Sequence, residues 1–277
     1  MDSQGVAPVS EDSRSVGSGH AWAQRRLELA HTLLQHLLQC GLFRTWLRHE
    51  PEGWELVSGI WSPFYIQARG IPSHPEVFKF VGQALAEVVQ NELGQCDNLI
   101  GLATAGIPLA SAAAIALGLP MCYTRKLAGI RSIDDVSAHR EDYGDHSMVE
   151  GRLGSNSKVV LVDDVCAQFT SKQVAHWQVK AEVKSRRLQN VSIPAVVVLV
   201  DREQSSAAAA GAAQLGMKIL SVVKLKSEGL DLLRDILSER EHEIVTEYIA
   251  NPNAFQNPSV RKQLTTEARK YREGRNH

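Results

Sequence analysis

The sequence lacks the features of a membrane-bound, secreted or disulfide-linked protein. No apolar run approaches the ~20 residues that a membrane-spanning helix needs. The polar, Gly- and Ser-rich residues 1–20 have neither the basic start nor the apolar core of a signal peptide. The four cysteines lie far apart and form no CxxC pair, which argues against a disulfide framework or a zinc site. We therefore expect a cytoplasmic protein with reduced thiols and no membrane partner.

The chain also lacks a strong charge of either sign. Its 31 acidic residues nearly balance 30 basic ones, for a net charge of −1. Composition therefore gives no electrostatic argument for binding nucleic acid or an anionic membrane. The basic residues beyond Pro252 are best interpreted as one side of a solvated surface helix. The remaining composition, 44% hydrophobic and 22% charged, is that of an ordinary globular protein.

Short apolar runs alternate with amphipathic segments along most of the chain. The runs rich in Val, Ile and Leu predict buried strands, and apolar residues at i, i+3 and i+7 predict helices. Successive strand–helix–strand units predict an α/β fold with a parallel sheet. The predicted strands are 98–102, 120–124, 158–165, 193–200 and 217–223. The predicted helices are 21–39, 75–93, 110–117, 171–188, 207–215 and 226–251, followed by one in the tail.

Two segments show no periodicity. Residues 1–20 are small and polar, which predicts disorder. Residues 127–150 are polar, charged and rich in Asp and His, which predicts a long mobile loop. A loop of this length inside a compact domain is usually functional or disordered.

The segment KVVLVDDV at 158–165 is the most informative one. Its apolar run predicts a strand buried on both faces of the sheet, and it ends in Asp163 and Asp164. Open α/β sheets bind ligands at this end of their strands. The helix predicted from Ser171 begins shortly afterwards, and a helix N-terminus binds anions. A single Asp here could simply cap the helix, but two in a row favour a sugar-phosphate site.

Two further strand ends carry residues that suit an anion. The strand 98–102 runs into the small residues of 103–109, which would let backbone N–H groups converge on an anion. The same small residues would also let a helix pack closely on the sheet, and the residues alone leave both interpretations open. Arg125 and Lys126 follow the strand 120–124, where two cations suit a pyrophosphate group. An ordinary solvated pair is the alternative.

Five segments, in this order, resemble the type I phosphoribosyltransferases and in particular the orotate branch of that family. In that family two acidic residues end a strand and a Thr-Thr-Gly loop binds the 5′-phosphate. The matching segments are SGIWSP at 58–63, ATAGIP at 103–108, Arg125-Lys126 with Asp142-Tyr143-Gly144, Asp163-Asp164-Val165, and Asp201-Arg202-Glu203.

The chain departs from the family pattern in two loops. Ala167, Gln168 and Phe169 stand where the family has Thr-Thr-Gly. Phe169 at the glycine position implies either that the loop takes another path with Phe169 turned away or that the phosphate pocket is impaired. We expect impaired binding, which restoring Thr-Thr-Gly would improve. The loop after Lys126 is longer than the family's, with an insertion at 127–141, and Glu141 replaces a lysine that meets pyrophosphate, which reverses the local charge.

The resemblance implies a type I phosphoribosyltransferase fold: a parallel sheet flanked by helices over 21–240, a hood at about 42–70 and a C-terminal helical extension at 241–277. It also implies transfer of phosphoribose from phosphoribosyl pyrophosphate to a pyrimidine base by a homodimer that uses Mg²⁺. The Mg²⁺ would be held through pyrophosphate, with Asp163 and Asp164 as the only side chains expected to reach it.

The implied substrate-binding residues are Asp163 and Asp164 for the ribose hydroxyls; Ala167, Gln168, Thr170 and Ser171 for the 5′-phosphate; Thr104 and Ala105 for pyrophosphate; and Phe64, Tyr65 and Arg202 for the base. The implied catalytic cations are Arg125 and Lys126, with His139 and Arg140 as replacements for the missing loop lysine.

Three functions remain open from the sequence. The chain is an orotate-type enzyme, a catalytically impaired paralogue that binds a nucleotide as a regulator, or an enzyme that accepts another base. The two divergent loops favour the second, and the five ordered segments favour an enzyme.

Overall fold

The structure is a computed structural model that describes residues 11–56, 59–127, 129–130, 134–136 and 147–274, with side chains from residue 19 onward. Its helices are α1 (Glu11–Gln39), α2 (Pro75–Glu92), α3 (Gly106–Leu117), α4 (Thr170–Ser185), α5 (Ser206–Gln214), α6 (Leu230–Leu233), α7 (Glu239–Ala250) and α8 (Pro258–Glu273). Its strands are β1 (Phe43–Thr45), β2 (Trp54–Glu55), β3 (Trp61–Ser62), β4 (Phe64–Ile66), β5 (Asn98–Gly101), β6 (Met121–Thr124), β7 (Val149–Glu150), β8 (Lys158–Cys166), β9 (Ser192–Asp201) and β10 (Lys218–Lys224). None of the helices in the described part of the chain combines the length and hydropathy of a membrane span.

Six of the described strands form one large sheet in the order β10-β9-β8-β5-β6-β7. All neighbours are parallel except β7, which pairs antiparallel with β6 at the edge. The predicted parallel sheet is confirmed. Because parallel strands end at the same edge, the residues after β5, β6, β8 and β9 lie along one side of the sheet. That side carries most of the segments that the sequence singled out.

The central strand β8 is buried because helices cover both faces of the sheet. Val160 and Val162 point into one core with α1, α2 and α3, whereas Val159 and Leu161 point into a second core with α4 and α5. This alternation follows from the two-residue period of a strand. It explains why the run is apolar throughout rather than at every second position.

The hood consists of two short antiparallel pairs, β1 with β4 and β2 with β3. The C-terminal helices pack directly on it. Glu241 of α7 is fully buried and accepts hydrogen bonds from Thr45 Oγ1 at 2.5 Å and from Arg48 Nε at 2.8 Å. Tyr248 and Phe255 join the same core as Phe64. The packing is therefore continuous across residue 240, where the sequence placed the start of an extension.

Three boundaries differ from those predicted. Helix α1 begins at Glu11, so the prediction of disorder is wrong for 11–20, because an established helix extends at little cost through polar residues. The predicted helix 226–251 is broken, and α7 begins at a capping box formed by Ser238 and Glu241. The end of the predicted loop 127–150 forms β7 instead, whereas most of that loop lies outside the described residues.

Candidate active site

The acidic end of β8 holds one paired and one perturbed carboxyl group. Asp163 is 7% exposed, and its Oδ2 lies 2.7 Å from Nζ of Lys172 in the first turn of α4. Asp164 is half-buried and accepts a hydrogen bond from the backbone N–H of Val165 at 2.8 Å. Burial, together with the charge of Asp163, raises the pKa of Asp164 to about 6. The pair therefore has less net negative charge than two free aspartates. The sequence prediction did not include Lys172.

The loop between β8 and α4 avoids the strain expected from Phe169. Phe169 has φ −91° and ψ −4°, an ordinary backbone conformation, and it precedes the first residue of α4. Its buried side chain packs against Gly211 of α5, where an added Cβ would lie 3.1 Å from the ring. Phe169 is thus turned away into the core, as the first of the two alternatives required, and the expectation of impaired phosphate binding stays a prediction.

The N-terminus of α4 remains open to an anion. The first N–H groups of a helix have no intrahelical partner, and Phe169 makes no side-chain capping hydrogen bond to those of α4. Gln168, Thr170 and Ser171 are exposed around this end, and Ala167 is half-buried. The residues predicted for the 5′-phosphate therefore lie together, although two of the family's hydroxyls are missing.

The turn after β5 shows the close packing that its small residues allowed, and binding of an anion there stays a prediction. A Cβ on Gly106 would lie 2.1 Å from the carbonyl oxygen of Val162, so only glycine lets α3 start this close to β8. Close packing is therefore one reason for the small residues. Thr104 is nevertheless exposed, Ala105 is buried beside it, and the Ala103–Thr104 peptide bond is cis. The N–H of Ala103 donates to Thr124 Oγ1 at 3.1 Å, which joins this turn to the end of β6.

The two cations after β6 differ in their surroundings. Arg125 Nε pairs with Glu150 Oε1 at 2.7 Å, and its backbone N–H and carbonyl contact Met148 O and Gln178 Nε2. Lys126 is exposed. Arg125 is thus held by a partner of opposite charge rather than freely available, a contact that the sequence did not reveal because Glu150 comes from the far end of the loop. His139, Arg140, Glu141 and Asp142, like Ser58 in the hood motif, lie outside the described residues.

Arg202, directly after β9, is a buried cation without a hydrogen-bonding partner for two of its nitrogens. It is 6% exposed, and its Nε and Nη2 make no hydrogen bond in the described part of the chain. The guanidinium carbon lies 4.6 Å from the ring centre of Phe64 and 5.9 Å from that of Tyr248. Burial lowers the pKa of Arg202, and the neighbouring Tyr248 opposes that shift. The N–H of Arg202 donates to Cys166 O at 2.8 Å, which fixes Arg202 next to β8.

The aromatic residues of the hood are arranged differently from the prediction. Phe64 is fully buried and stacks on Phe43 at 5.5 Å, so it offers no exposed face to a base. Tyr65 points to the opposite side of β4 and stacks on Trp54, because neighbouring strand residues face opposite ways. The resemblance implied that Phe64 and Tyr65 bind the base; Phe64 has no exposed face for that role, and the role of Tyr65 stays a prediction. Tyr248, which sequence reasoning missed, lies beside Arg202 together with Phe64.

The described residues offer no complete metal site. They contain no group of three or more His, Cys, Asp or Glu side chains that could hold an ion. Asp163 is already paired with Lys172, which leaves Asp164 as the other carboxylate of the pair at the end of β8. These residues fit a Mg²⁺ ion only if most of its ligands come from a bound pyrophosphate, as the sequence predicted.

No protein-family model matches the chain, but curated proteins and solved structures do. It is 30% identical over 195 residues to the orotate phosphoribosyltransferase of Pyrobaculum islandicum, which covers 70% of this chain and 89% of that protein. It is 31% identical over 196 residues to the one from Pyrobaculum aerophilum, covering 71% and 90%. The crystal structure of orotate phosphoribosyltransferase from Aeropyrum pernix matches with a TM-score of 0.54 and 26% identity over 74% of this chain and 97% of that one. The UMP synthase of Leishmania donovani matches with a TM-score of 0.60 and 24% identity over 81% and 42%.

Proposed function

Because the chain belongs to the orotate phosphoribosyltransferase family, we propose that it transfers phosphoribose from phosphoribosyl pyrophosphate to the ring nitrogen of orotate. In this reaction the C1–O bond to pyrophosphate breaks, pyrophosphate leaves with the electron pair, and a C1–N bond forms to the base. The chemistry requires few covalent steps from the protein, so positioning and charge stabilisation dominate.

The buried guanidinium of Arg202 carries this proposal. Burying an ionised group with unsatisfied donors is unfavourable, and the contacts of Arg202 with Phe64 and Tyr248 leave Nε and Nη2 without a hydrogen-bond acceptor in the described part of the chain. A carboxylate in the plane of Nε and Nη2 would accept two parallel hydrogen bonds, the geometry for which arginine is suited. Orotate carries a carboxylate, whereas uracil does not.

The other parts of the substrate would bind along the same edge of the sheet. Asp163 and Asp164 would each accept a hydrogen bond from a ribose hydroxyl, and the N-terminus of α4 with Thr170 and Ser171 would bind the 5′-phosphate. Thr104 and Ala105 would line the pyrophosphate site, with Arg125 and Lys126 as its cations. When bound, Mg²⁺ would neutralise part of the pyrophosphate charge.

Location and assembly remain predictions. The four cysteines are free thiols, which is consistent with a cytoplasmic enzyme. A homodimer is expected from the family and is tested by sedimentation velocity.

The proposed activity is tested by measuring pyrophosphate release from phosphoribosyl pyrophosphate and Mg²⁺ with orotate, uracil or no base. We expect release with orotate and none above background with uracil. Release with uracil but not with orotate would point to a different base. Failure to bind phosphoribosyl pyrophosphate in calorimetry would overturn the proposal.

A second candidate is a family member that binds the nucleotide without turning it over. Two ion pairs favour it, because Asp163 is occupied by Lys172 and Arg125 by Glu150. Tight binding of phosphoribosyl pyrophosphate without pyrophosphate release, with any base tried, would select this candidate over the enzyme.

A further inference from the structure

Lys172 is the charged residue of the site that neither the sequence motifs nor the proposed reaction uses. Its side chain is 3% exposed, and its Nζ donates to Asp163 Oδ2 at 2.7 Å and to the carbonyl oxygen of Val165 at 2.6 Å. A single ammonium group thus joins the first turn of α4 to the acidic end of β8.

The location of Lys172 is unfavourable for a lysine unless the aspartate is present. A positive charge in the first turn of a helix opposes the helix dipole, and burial removes its hydration. Burial is the largest single effect and would lower the pKa of Lys172, but the charge and hydrogen bond of Asp163, with smaller contributions from Cys166 and Asp164, together hold the pKa above its ordinary value. The lysine is therefore a fixed cation whose partner is Asp163.

This contact fixes one carboxylate oxygen of Asp163 and leaves Oδ1 and the carboxylate of Asp164 as the remaining acceptors. It also cancels one of two adjacent negative charges next to the site proposed for an anionic sugar phosphate. Like charges at this separation repel both each other and a phosphate group. Without a counter-charge, Asp163 would have to be hydrated or to turn away.

We propose that Lys172 is a positioning residue of the ribose site, which holds Asp163 in the orientation that accepts a ribose hydroxyl. The inference rests on the proposed function, because it assumes that a sugar phosphate binds at the end of β8. The opposite role is also testable: a lysine that merely blocks Asp163 would weaken ligand binding, and its removal would tighten it.

The test is calorimetric titration of the full chain with ribose 5-phosphate and with 2-deoxyribose 5-phosphate, which lacks one hydroxyl. The unsubstituted protein should prefer ribose 5-phosphate by about tenfold or more, because a hydrogen bond to a charged acceptor is lost with the deoxy sugar. Lys172→Met should reduce this preference to less than about threefold. The matched control is Lys180→Met, an exposed lysine on the same helix, which should leave the preference unchanged.

The ratio of the two affinities separates positioning from a general loss of structure, since a damaged fold would weaken both sugars alike. Lys172→Met leaves the Asp163 carboxylate buried without a partner and could unfold the protein. A second comparison is therefore Asp163→Asn against Asp163→Asn with Lys172→Met, where both charges are gone. If Lys172 acts through Asp163, these two variants should show the same preference.

Three outcomes would overturn the inference: an unchanged preference in Lys172→Met, tighter binding of ribose 5-phosphate by that variant, or a further loss of preference when Lys172→Met is added to Asp163→Asn. The failure of the proposed function would look different, because the unsubstituted protein would then bind neither sugar phosphate.

Discussion

At the scale of single residues, the site contains charged groups in unusual surroundings. Arg202 is buried with two unused donor nitrogens, Asp163 is paired with the buried Lys172, and Asp164 keeps a raised pKa beside them. Buried charges rarely stabilise a fold, and perturbed titratable groups cluster at functional sites. We therefore expect that replacing Arg202 or Asp164 leaves the fold as stable or makes it more stable at neutral pH.

Replacing Arg202 should weaken orotate binding without harming the fold. Arg202→Met removes the proposed carboxylate partner, which should weaken orotate at least tenfold, or ~1.4 kcal/mol. Stability should be unchanged or higher, because the variant removes a buried cation that lacks full hydrogen bonding. Orotate calorimetry and urea denaturation measure the two effects. Arg261→Met is the control, since Arg261 also lies over an aromatic ring, that of Trp61, but outside the site. Unchanged orotate affinity would remove Arg202 from the base site.

The raised pKa of Asp164 gives a pH-dependent stability. The group ionises near pH 6 in the folded protein and near 3.8 when unfolded, so the folded state binds its proton more tightly. The stabilisation that comes from protonated Asp164 is fully present below pH ~4, and it is lost as pH rises through 6. Asp164→Asn should therefore match the unsubstituted protein at pH 4 and exceed its free energy of unfolding by roughly 1–3 kcal/mol at pH 7. Equal stability differences at both pH values would show that the pKa is ordinary.

At the scale of elements, α4 connects the proposed phosphate site to Arg125, which directly follows β6. Its buried Glu182 accepts hydrogen bonds from the Met148 N–H at 2.9 Å, from Ser147 Oγ at 2.9 Å and from Arg186 Nε at 2.6 Å. Met148 O in turn accepts from the backbone N–H of Arg125. One helix thus carries the N-terminus proposed for the 5′-phosphate and also holds the residues that flank Arg125.

Removing the carboxylate of Glu182 should loosen this connection. We expect Glu182→Ala to lower the free energy of unfolding by roughly 2–4 kcal/mol, because the buried Met148 N–H loses its partner. Hydrogen bonds hold the pKa of Glu182 below its usual value despite the opposing effect of burial. The stabilisation by Glu182 is therefore present above the pKa of this group in the unfolded chain, and it is lost as pH falls through the lowered pKa of the folded state. Urea denaturation at pH 7 measures the loss, with Lys180→Ala as the control on the same helix. A change below 0.5 kcal/mol, the usual limit for surface sites, would contradict the role.

Phosphate binding by the loop before α4 is better tested by replacing two of its residues than by restoring the whole Thr-Thr-Gly sequence. Because Phe169 packs in the core, Phe169→Gly would leave a cavity and cost roughly 3–5 kcal/mol. Ala167→Thr with Gln168→Thr adds hydroxyls without that cavity. This double variant should bind ribose 5-phosphate about tenfold more tightly, ~1.4 kcal/mol. Calorimetry that shows equal or weaker binding would indicate that the native loop already suits its ligand.

At the scale of the whole molecule, the hood and the C-terminal helices are one packed body around Arg202. Tyr248 contacts Phe64 edge-to-face at 5.8 Å and Phe255 at 5.5 Å. The side-chain amide of Gln256 pairs with both the N–H and the carbonyl of Trp61. The α/β body itself has the fold of the type I family that the sequence predicted, as the likeness to the two solved structures shows.

A chain that ends at residue 240 should therefore not fold like the full chain. It would lose Tyr248, Ile249 and Phe255 from the core and expose Phe64 and Arg202 to water. We expect loss of the cooperative thermal transition, because the missing contacts exceed the usual margin of stability. A truncated chain that melts cooperatively at the temperature of the full chain would show that the C-terminal helices are a separate extension.

The sequence by itself determined the order of strands and helices, the parallel sheet and the edge at which the site lies. These follow from local periodicity and from the rule that parallel strands end at one edge. Asp163, Thr170 and Arg202 could be predicted for this reason, since each directly follows an identifiable strand or begins an identifiable helix.

Only the tertiary structure decided which groups meet. The pairing of Lys172 with Asp163, the burial of Phe64 and the turn of Phe169 into the core depend on side-chain directions that no local pattern specifies. Tyr248 reaches Arg202 from a distant part of the chain. Such contacts arise when packing and the pairing of buried charges select one arrangement among many that share the same periodicity.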